Sequence, residues 1–401
     1  MEGWTLPEGW EWKDLGDIVE IHDHKRIPIM EQDRIAGNIP YCGANGIIDY
    51  VDGFTHDGEF VLLAEDGGKF KAFEKSAYMM SGKFWANNHV HILRGIENLL
   101  ISKYLYFVLF HSDLTPYLTG ATRPKLTQSA MKRIKVPLPY PDDPARSLAE
   151  QRRIVARLEA LLGEVKAMRE RAQTLQCDVN RLMESALAEV FPEINATFDT
   201  KHWTFVPVER ICTKPQYGYT ATSETQPIGP KFLRITDIQD GNVNWDNVPY
   251  CRISSKHIVN YLLSDGDILF ARSGATTGKT YIVKNSPLAV FASYLIRIRV
   301  TEPNLPEYVY WYFQSPQYWK QLTIRGGAQP NMNAQLLRKV LIPIPDPLDE
   351  NNSLVEQRRI VAYLDDIQQA VREAQELIQA DLRAIEQLEQ SILAAAFRGE
   401  L

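Results

Sequence analysis

The segment Glu150-Gln151-Arg152-Arg153-Ile154-Val155-Ala156 is written again as Glu356-Gln357-Arg358-Arg359-Ile360-Val361-Ala362, 206 residues further on. The same offset sets Val136-Pro137-Leu138-Pro139 against Ile342-Pro343-Ile344-Pro345, Gly120 against Gly326, Leu182 against Leu388, Ser185 against Ser391 and Phe191 against Phe397. Each half also opens alike, Gly9-Trp10-Glu11-Trp12 against His202-Trp203-Thr204-Phe205. A gapless match of this length exceeds what helical similarity alone supplies, so the chain is a tandem repeat and whatever one half folds into the other must fold into as well.

Each half reads as two parts. The first consists of short β-branched and aromatic runs broken by Gly, Asn, Asp and Pro, with occasional helices such as Ile101–Phe107 and Pro306–Tyr312. The second is one long helix. Ser147-Leu148-Ala149-Glu150 and Ser353-Leu354-Val355-Glu356 have the form of capping boxes and predict helix starts there. The first helix then spaces Ile154, Leu158, Leu161, Val165, Met168, Ala172, Leu175, Val179, Leu182 and Ala186 by alternating fours and threes, a heptad seam. In the second helix the seam is Ile360, Leu364, Ile367, Val371, Ala374, Ile378, then Ile385, Leu388 and Ile392. Asp381 interrupts it, and a local shift onto Leu377 or Leu382 would turn that carboxylate outward. Pro192 and Gly399 close the two helices. Each spans roughly 60 Å at 1.5 Å per residue, and antiparallel pairing with each other is the geometrically easy arrangement. The predicted divisions are a first globular domain over 1–146, a helix over 147–191, a linker over 192–202, a second globular domain over 203–352 and a helix over 353–401. The fold class is α+β, with two repeated α/β domains joined by two long helices in an antiparallel coiled coil.

Several functions are excluded or disfavoured by residue pattern. Phe270-Ala271-Arg272-Ser273-Gly274-Ala275-Thr276-Thr277-Gly278-Lys279-Thr280 resembles a phosphate loop, but only three residues separate Gly274 from Gly278, where the loop needs four. Thr280-Tyr281-Ile282-Val283 reads as a strand, whereas a phosphate loop feeds a helix; Asp267–Phe270 before it is also strand-like. No Asn-Pro-Pro-aromatic tetrad, no dinucleotide fingerprint and no nucleophile–histidine pairing is suggested, so the chain is expected to be non-catalytic and to need no cofactor. His22-x-His24 and His89-x-His91 could each share a strand face, but the repeat sets His89 against Leu295 and His91 against Arg297. A packing or surface role is expected, and no metal. The four separated cysteines suit unpaired thiols in the cytoplasm. No run of about 18 apolar residues exists, so no membrane partner is expected.

Net charge is −6, which by itself argues against nucleic acid. Its distribution argues the other way. Glu356–Phe397 holds eight acids and four arginines, while Glu150–Phe191 is balanced at seven each. Gly120–Pro139 and Gln314–Pro345 contain bases and no acid. Candidate DNA-binding residues are therefore Arg123, Lys125 and Gln128 in the first tail, and Arg325, Gln329 and Asn331 in the second. Arg272, Ser273, Thr276 and Lys279 are added from the strand–loop–strand turn, and Lys69 and Lys71 from the first half. Lys and Arg neutralise phosphates, and Arg, Asn and Gln can pair with base edges bidentately.

With these features the chain resembles the specificity subunits of type I restriction–modification systems along essentially its whole length. The Pro-rich segments leading into the two Glu-Gln-Arg-Arg-Ile-Val helices carry the likeness most specifically. Leu6-Pro7-Glu8-Gly9-Trp10 is similar to the family's opening. Tyr41-Cys42-Gly43-Ala44-Asn45-Gly46-Ile47 and Asp267-Ile268-Leu269-Phe270-Ala271-Arg272-Ser273-Gly274 are similar to its target-recognition segments. The second of these carries Arg272 where the first half has Glu65. The resemblance implies that the two globular parts are target-recognition domains, each reading half of a split double-stranded DNA site. It also implies that the helix pair is a spacer that docks two adenine methyltransferase subunits, and that a motor–nuclease subunit completes the assembly. A methylation-only system, or a coiled-coil scaffold, are the alternatives.

Overall fold

The structure is a computed structural model that describes residues 5–120, 124–194, 202–239, 241–272, 277–325 and 332–401. The chain forms two compact units, Met1–Gln173 with Gln379–Leu401, and Thr174–Ile378.

In the first unit Trp10–Asp14 pairs antiparallel with the Pro-rich strand Lys135–Pro139, Trp10 facing Pro139. A two-stranded ribbon suits this sequence, because proline lacks the N–H that a central strand would need. A four-stranded sheet runs in the order Val19–Ile21, Val90–Gly95, Phe60–Ala64, Ala77–Met80. The central strand Phe60–Ala64 is buried throughout, as its unbroken apolar sequence requires. A second sheet pairs Ala36–Gly43 with Gly46–Val51 antiparallel and with Lys83–Ala86 in parallel. The helix Ser102–His111 packs beside the Pro-rich strand, and the buried Tyr104 hydroxyl donates to the Pro137 carbonyl at 2.7 Å.

The second unit repeats this plan. Trp203–Pro207 pairs with Leu341–Pro345, Trp203 facing Pro345. The sheet order is Gln216–Tyr217, Leu295–Ile298, Ile268–Ala271, Thr280–Ile282. Lys231–Leu233 pairs in parallel with Ala289–Phe291, matching the parallel pair of the first unit. On the helix Pro306–Gln314, the Tyr308 hydroxyl donates to the Pro343 carbonyl at 2.6 Å.

The long helices span Pro144–Val190 and Glu350–Phe397. Both start before the serines, so the expected capping boxes do not form. Asp143 accepts from the Arg146 amide at 3.0 Å, and Asp349 from the amides of Asn351 and Asn352. Ser147 and Ser353 lie inside the helices and accept instead from the side-chain amides of Gln151 and Gln357. Those glutamines explain the repeated motif. Gln151 is fully buried, receives the Ile101 amide at 2.8 Å and donates to the Leu99 carbonyl at 2.9 Å. Gln357 likewise receives the Leu305 amide at 3.0 Å. Each glutamine thus caps the start of its unit's shorter helix, satisfying a donor that has no partner within that helix. Glu150–Arg153 and Glu356–Arg359 are i,i+3 pairs on the outer face. Gly399, at φ +74°, closes the second helix with the Glu400 amide on the Ala395 carbonyl, a left-handed terminus that favours glycine.

Within each unit the long helices run antiparallel. In the first, Arg169 pairs with Glu389 at 2.5 Å, and Ile154, Leu158 and Val165 share a core with Ile392, Leu393 and Phe397. In the second, Gln375 bonds Asn180 at 2.8 Å, and Ala186, Leu187 and Phe191 share a core with Ile360 and Leu364. The seam has the expected period, and the expected phase at most positions; it departs at Met168, Leu175 and Leu182 in the first helix and at Leu388 in the second. Ile154, Leu158, Val165, Val179, Ile360 and Leu364 are buried, and Leu161, Ile367, Val371 and Ile385 are half-buried. Leu175, Leu182 and Leu388 are not in it: they are 53 %, 54 % and 42 % exposed. The inward positions are one residue later, at half-buried Arg169, Gln176, Met183 and Glu389. A polar pair can hold an inward position when its partner faces it, and Arg169 with Glu389 does so. Asp381 is turned outward and Leu382 inward, the shift that the interrupted heptad suggested.

Candidate nucleic-acid interface

In both units the central strand ends at a pivot with the same backbone bonds. The Glu65 amide donates to the His89 carbonyl at 2.9 Å and the Glu65 carbonyl accepts from Leu126 at 2.7 Å; Arg272 does the same with Tyr294 at 3.1 Å and Met332 at 3.0 Å. Glu65 and Arg272 are therefore equivalent. Sheet register sets Ala64 opposite Val90 and Ala271 opposite Leu295. It follows that His89 corresponds to Tyr294 and His91 to Ile296, not to Leu295 and Arg297. The constant offset slips here because the connection between the two strands differs in length.

Around Glu65 the side chains close into a buried network. Glu65 binds Arg26 at 2.5 Å and Lys125 at 2.8 Å. Asp23 accepts from the Ile92 amide at 2.8 Å, meets His91 Nδ1 at 2.6 Å and receives the Gln128 amide at 3.3 Å. His91 Nε2 meets the Leu126 carbonyl at 2.7 Å. Burial acts to raise the Glu65 carboxyl, but its hydrogen bonds from Lys125 and Arg26 outweigh this and hold it below the ordinary value. Asp23 is likewise held low against its burial, by His91, the Ile92 amide and Arg26. Thus Lys125 and Gln128 come together at the pivot, and Lys125 is paired with a carboxylate. His91 is a buried packing residue with both nitrogens engaged. His89 bonds Asp66 at 2.5 Å. Sequence reading missed Asp23 and Arg26, which lie far from Glu65 in the chain. Lys69 and Lys71 are exposed on either side of buried Phe70.

In the second unit the turn is a strand–loop–strand, Ile268–Ala271 pairing with Thr280–Ile282; a strand follows Gly278-Lys279, as expected, where a phosphate loop would have a helix. Gly278 has φ +85°, and a Cβ there would lie 3.0 Å from Trp319 and Leu322. Lys279 is exposed. Arg272 is half-buried, its guanidinium 4.6 Å from the centre of the Tyr217 ring, and it donates to the Ser293 carbonyl at 3.3 Å. Ser273, Thr276, Gln329, Asn331 and, in the first unit, Arg123 lie outside the described residues, as does the side chain of Arg325 at the end of the helix Pro316–Arg325.

Each unit also has a cleft beside its shorter helix. In the second unit it holds about 860 Å³ between Met183, Leu187, Tyr310, Trp311 and Trp319. In the first it holds about 380 Å³ and is bordered by Phe73, Phe110, Arg169 and Glu389. The four cysteines are free, and burial pushes Cys42 and Cys251 up to about 11 and Cys212 up to about 12, values that leave these thiols poor nucleophiles. No helix among the described residues is long and apolar enough to cross a membrane.

The family described as "Type I restriction modification DNA specificity domain" matches residues 7–176 and 200–381. A Haemophilus influenzae chain described as a type I restriction enzyme specificity subunit is 31% identical over 361 residues, covering 88% of this chain and 86% of that one. The EcoKI specificity subunit of Escherichia coli is 26% identical over 73% of this chain and 63% of its own length. Among solved structures, a chain of a type I restriction–modification system has a TM-score of 0.76 at 24% identity, over 99% of this chain and 100% of that one. The HsdS subunit from Thermoanaerobacter tengcongensis gives 0.59 at 23%, over 100% and 99%.

Proposed function

This chain belongs to the type I restriction–modification DNA specificity family, and on that premise we propose that each of its two repeats reads one half of a split double-stranded DNA target. The carrying observation is the pivot. One backbone frame, built twice, holds Glu65 in a paired network with Lys125 and Gln128 beside it in one repeat, and carries Arg272 with Lys279 in the other. A fixed frame with different side chains is what two readers of unlike half-sites need, since phosphate contacts set register and base contacts carry sequence. Lys69, Lys71 and Lys279 are exposed cations suited to phosphates.

The helices suit the other two roles in this reading. Their antiparallel pairing in each unit fits a spacer that sets the number of unread base pairs. Leu175 and Leu182, seven residues apart and exposed, sit on one face of the first long helix and suit the docking of adenine methyltransferase subunits, two per complex. The aromatic cleft at Trp311 and Trp319 offers a concave anchor point for such a partner. In this reading the chain is non-catalytic: methyl transfer comes from those subunits, and cleavage from a motor–nuclease subunit where one is present.

The test is to express the chain with its methyltransferase partner and map methylated adenines across a genome. A split motif is expected, and exchanging residues 203–352 for those of another specificity subunit should change one half of it only. A continuous motif, or a change in both halves, would defeat the reading.

A further inference from the structure

We propose that Tyr217 is a positioning residue that holds the Arg272 guanidinium edge-on to a guanine in the half-site read by the second unit. The inference rests on Arg272 being a DNA contact, as proposed above, and goes further by naming the base and the residue that aims the reader.

Four other arginines of this unit have carboxylates: Arg297 and Arg299 share Asp267, Arg234 pairs with Asp237, and Arg338 pairs with Glu209. Arg272 is half-buried, and among the described residues no carboxylate pairs with it. Its Nε is buried and has no hydrogen-bond partner among the described residues. A partly desolvated cation without a counter-charge is costly to keep. The equivalent Glu65 shows that this frame can satisfy a charged side chain fully when it is built to do so.

Geometry then restricts where the guanidinium can go. The backbone of Arg272 is pinned on both sides, by Tyr294 and by Met332. One terminal nitrogen donates to the Ser293 carbonyl, and the guanidinium carbon stands 4.6 Å from the centre of the Tyr217 ring. The Tyr217 hydroxyl accepts from the Ala334 amide at 3.1 Å, at the start of the helix Ala334–Arg338. Tyr217 thereby ties the edge strand Gln216–Tyr217 to the second basic tail and offers its ring to Arg272. A guanidinium held over an aromatic ring keeps its outer terminal N–H donors available, which a lysine cannot reproduce. A fork of parallel donors in a fixed plane matches two acceptors side by side, and in the major groove that pair is guanine O6 and N7. Tyr294, 64 % exposed next to Ser293, contributes its backbone carbonyl to the pivot and leaves its ring on the outer surface.

The test uses the full chain in complex with its methyltransferase and a randomised duplex library, with methylated sequences read out position by position. Wild type should prefer guanine at one position of the second half-site by about tenfold or more. Arg272→Ala and Arg272→Lys should both relax that position and no other. Tyr217→Leu should relax the same position by at least about fivefold, while Tyr217→Phe, which keeps the ring, should stay within about twofold of wild type. Thermal melts of all four variants separate aiming from folding. If Tyr217→Leu fails to fold, the Tyr217→Phe and Arg272→Lys results decide: lost guanine preference in the first, or retained preference in the second, overturns the proposal. It is also overturned if Tyr217→Leu folds and leaves that position untouched or weakens all positions equally. If Arg272→Ala relaxes no position at all, it is the underlying contact that fails.

Discussion

Glu65 and Arg272 occupy one position of one frame, held by the same pair of backbone hydrogen bonds, yet their surroundings are opposite. Glu65 is buried and bound to two cations from other parts of its unit. Arg272 is half-buried and meets an aromatic ring and a carbonyl. The first arrangement satisfies itself and stabilises the fold; the second leaves donors for a partner. Side chains at equivalent points of a repeat can thus be divided between holding the reader together and doing the reading, while the backbone does not change.

The largest expected effect comes from breaking the self-satisfied pivot. Glu65→Ala takes a carboxylate from both Lys125 and Arg26, leaves Arg26, whose side chain is 17% exposed, with Asp23 alone, and should cost about 3 kcal/mol in chemical denaturation, the scale of two lost hydrogen bonds to a charged group. Arg272→Ala should cost less than about 1 kcal/mol, the scale of one exposed cation–π contact. Equal losses would erase the contrast. Where the repeats agree, so should the mutants: Gln151→Ala and Gln357→Ala each leave a helix start uncapped in a buried place and should each cost about 2 kcal/mol. A large inequality would mean that the latch matters in one unit only.

Acid offers a third handle. The Glu65 and Asp23 carboxyls lie below their ordinary values of 4.5 and 3.8 in the folded chain. Their contribution is therefore full above those values and is lost as pH falls through the lowered ones. Melting temperature should drop through that window, and Glu65→Gln should flatten the drop while lowering stability at neutral pH. A curve identical to wild type would remove Glu65 from the account. The smallest stability change belongs to Leu175→Gln with Leu182→Gln, within about 0.5 kcal/mol for exposed sites, yet this double variant should capture less methyltransferase in co-purification. Undiminished capture would move the docking face elsewhere.

Much of the architecture was legible because it was local or repeated. The duplication, the strand–loop–strand at Gly278-Lys279, the outward turn of Asp381 and the helix end at Gly399 all follow from neighbouring or repeated residues, whereas the Pro-rich segments proved to be paired strands. The helix starts did not: serine and glutamate in capping order lay inside the helices, because Asp143 and Asp349 begin them earlier and the buried glutamines claim the serines. The candidate site was legible in part. Lys125, Gln128 and Arg272 were named from the basic tails and turn and lie at the two pivots, but the carboxylate that occupies Lys125 and the ring beside Arg272 come from distant segments.

By itself, then, the sequence determined a period, a duplication and a stock of charges. A heptad fixes how often a helix turns a face inward, but along part of the seam the neighbouring residue can take the inward place, and only the partner helix chose between them, with Arg169 meeting Glu389 while Leu175 and Leu182 faced out. Likewise only tertiary structure decided which charges are spent inside the protein. Pairing depends on a few ångströms between groups such as Asp23, Glu65, His91 and Lys125, and separation along the chain does not encode that distance.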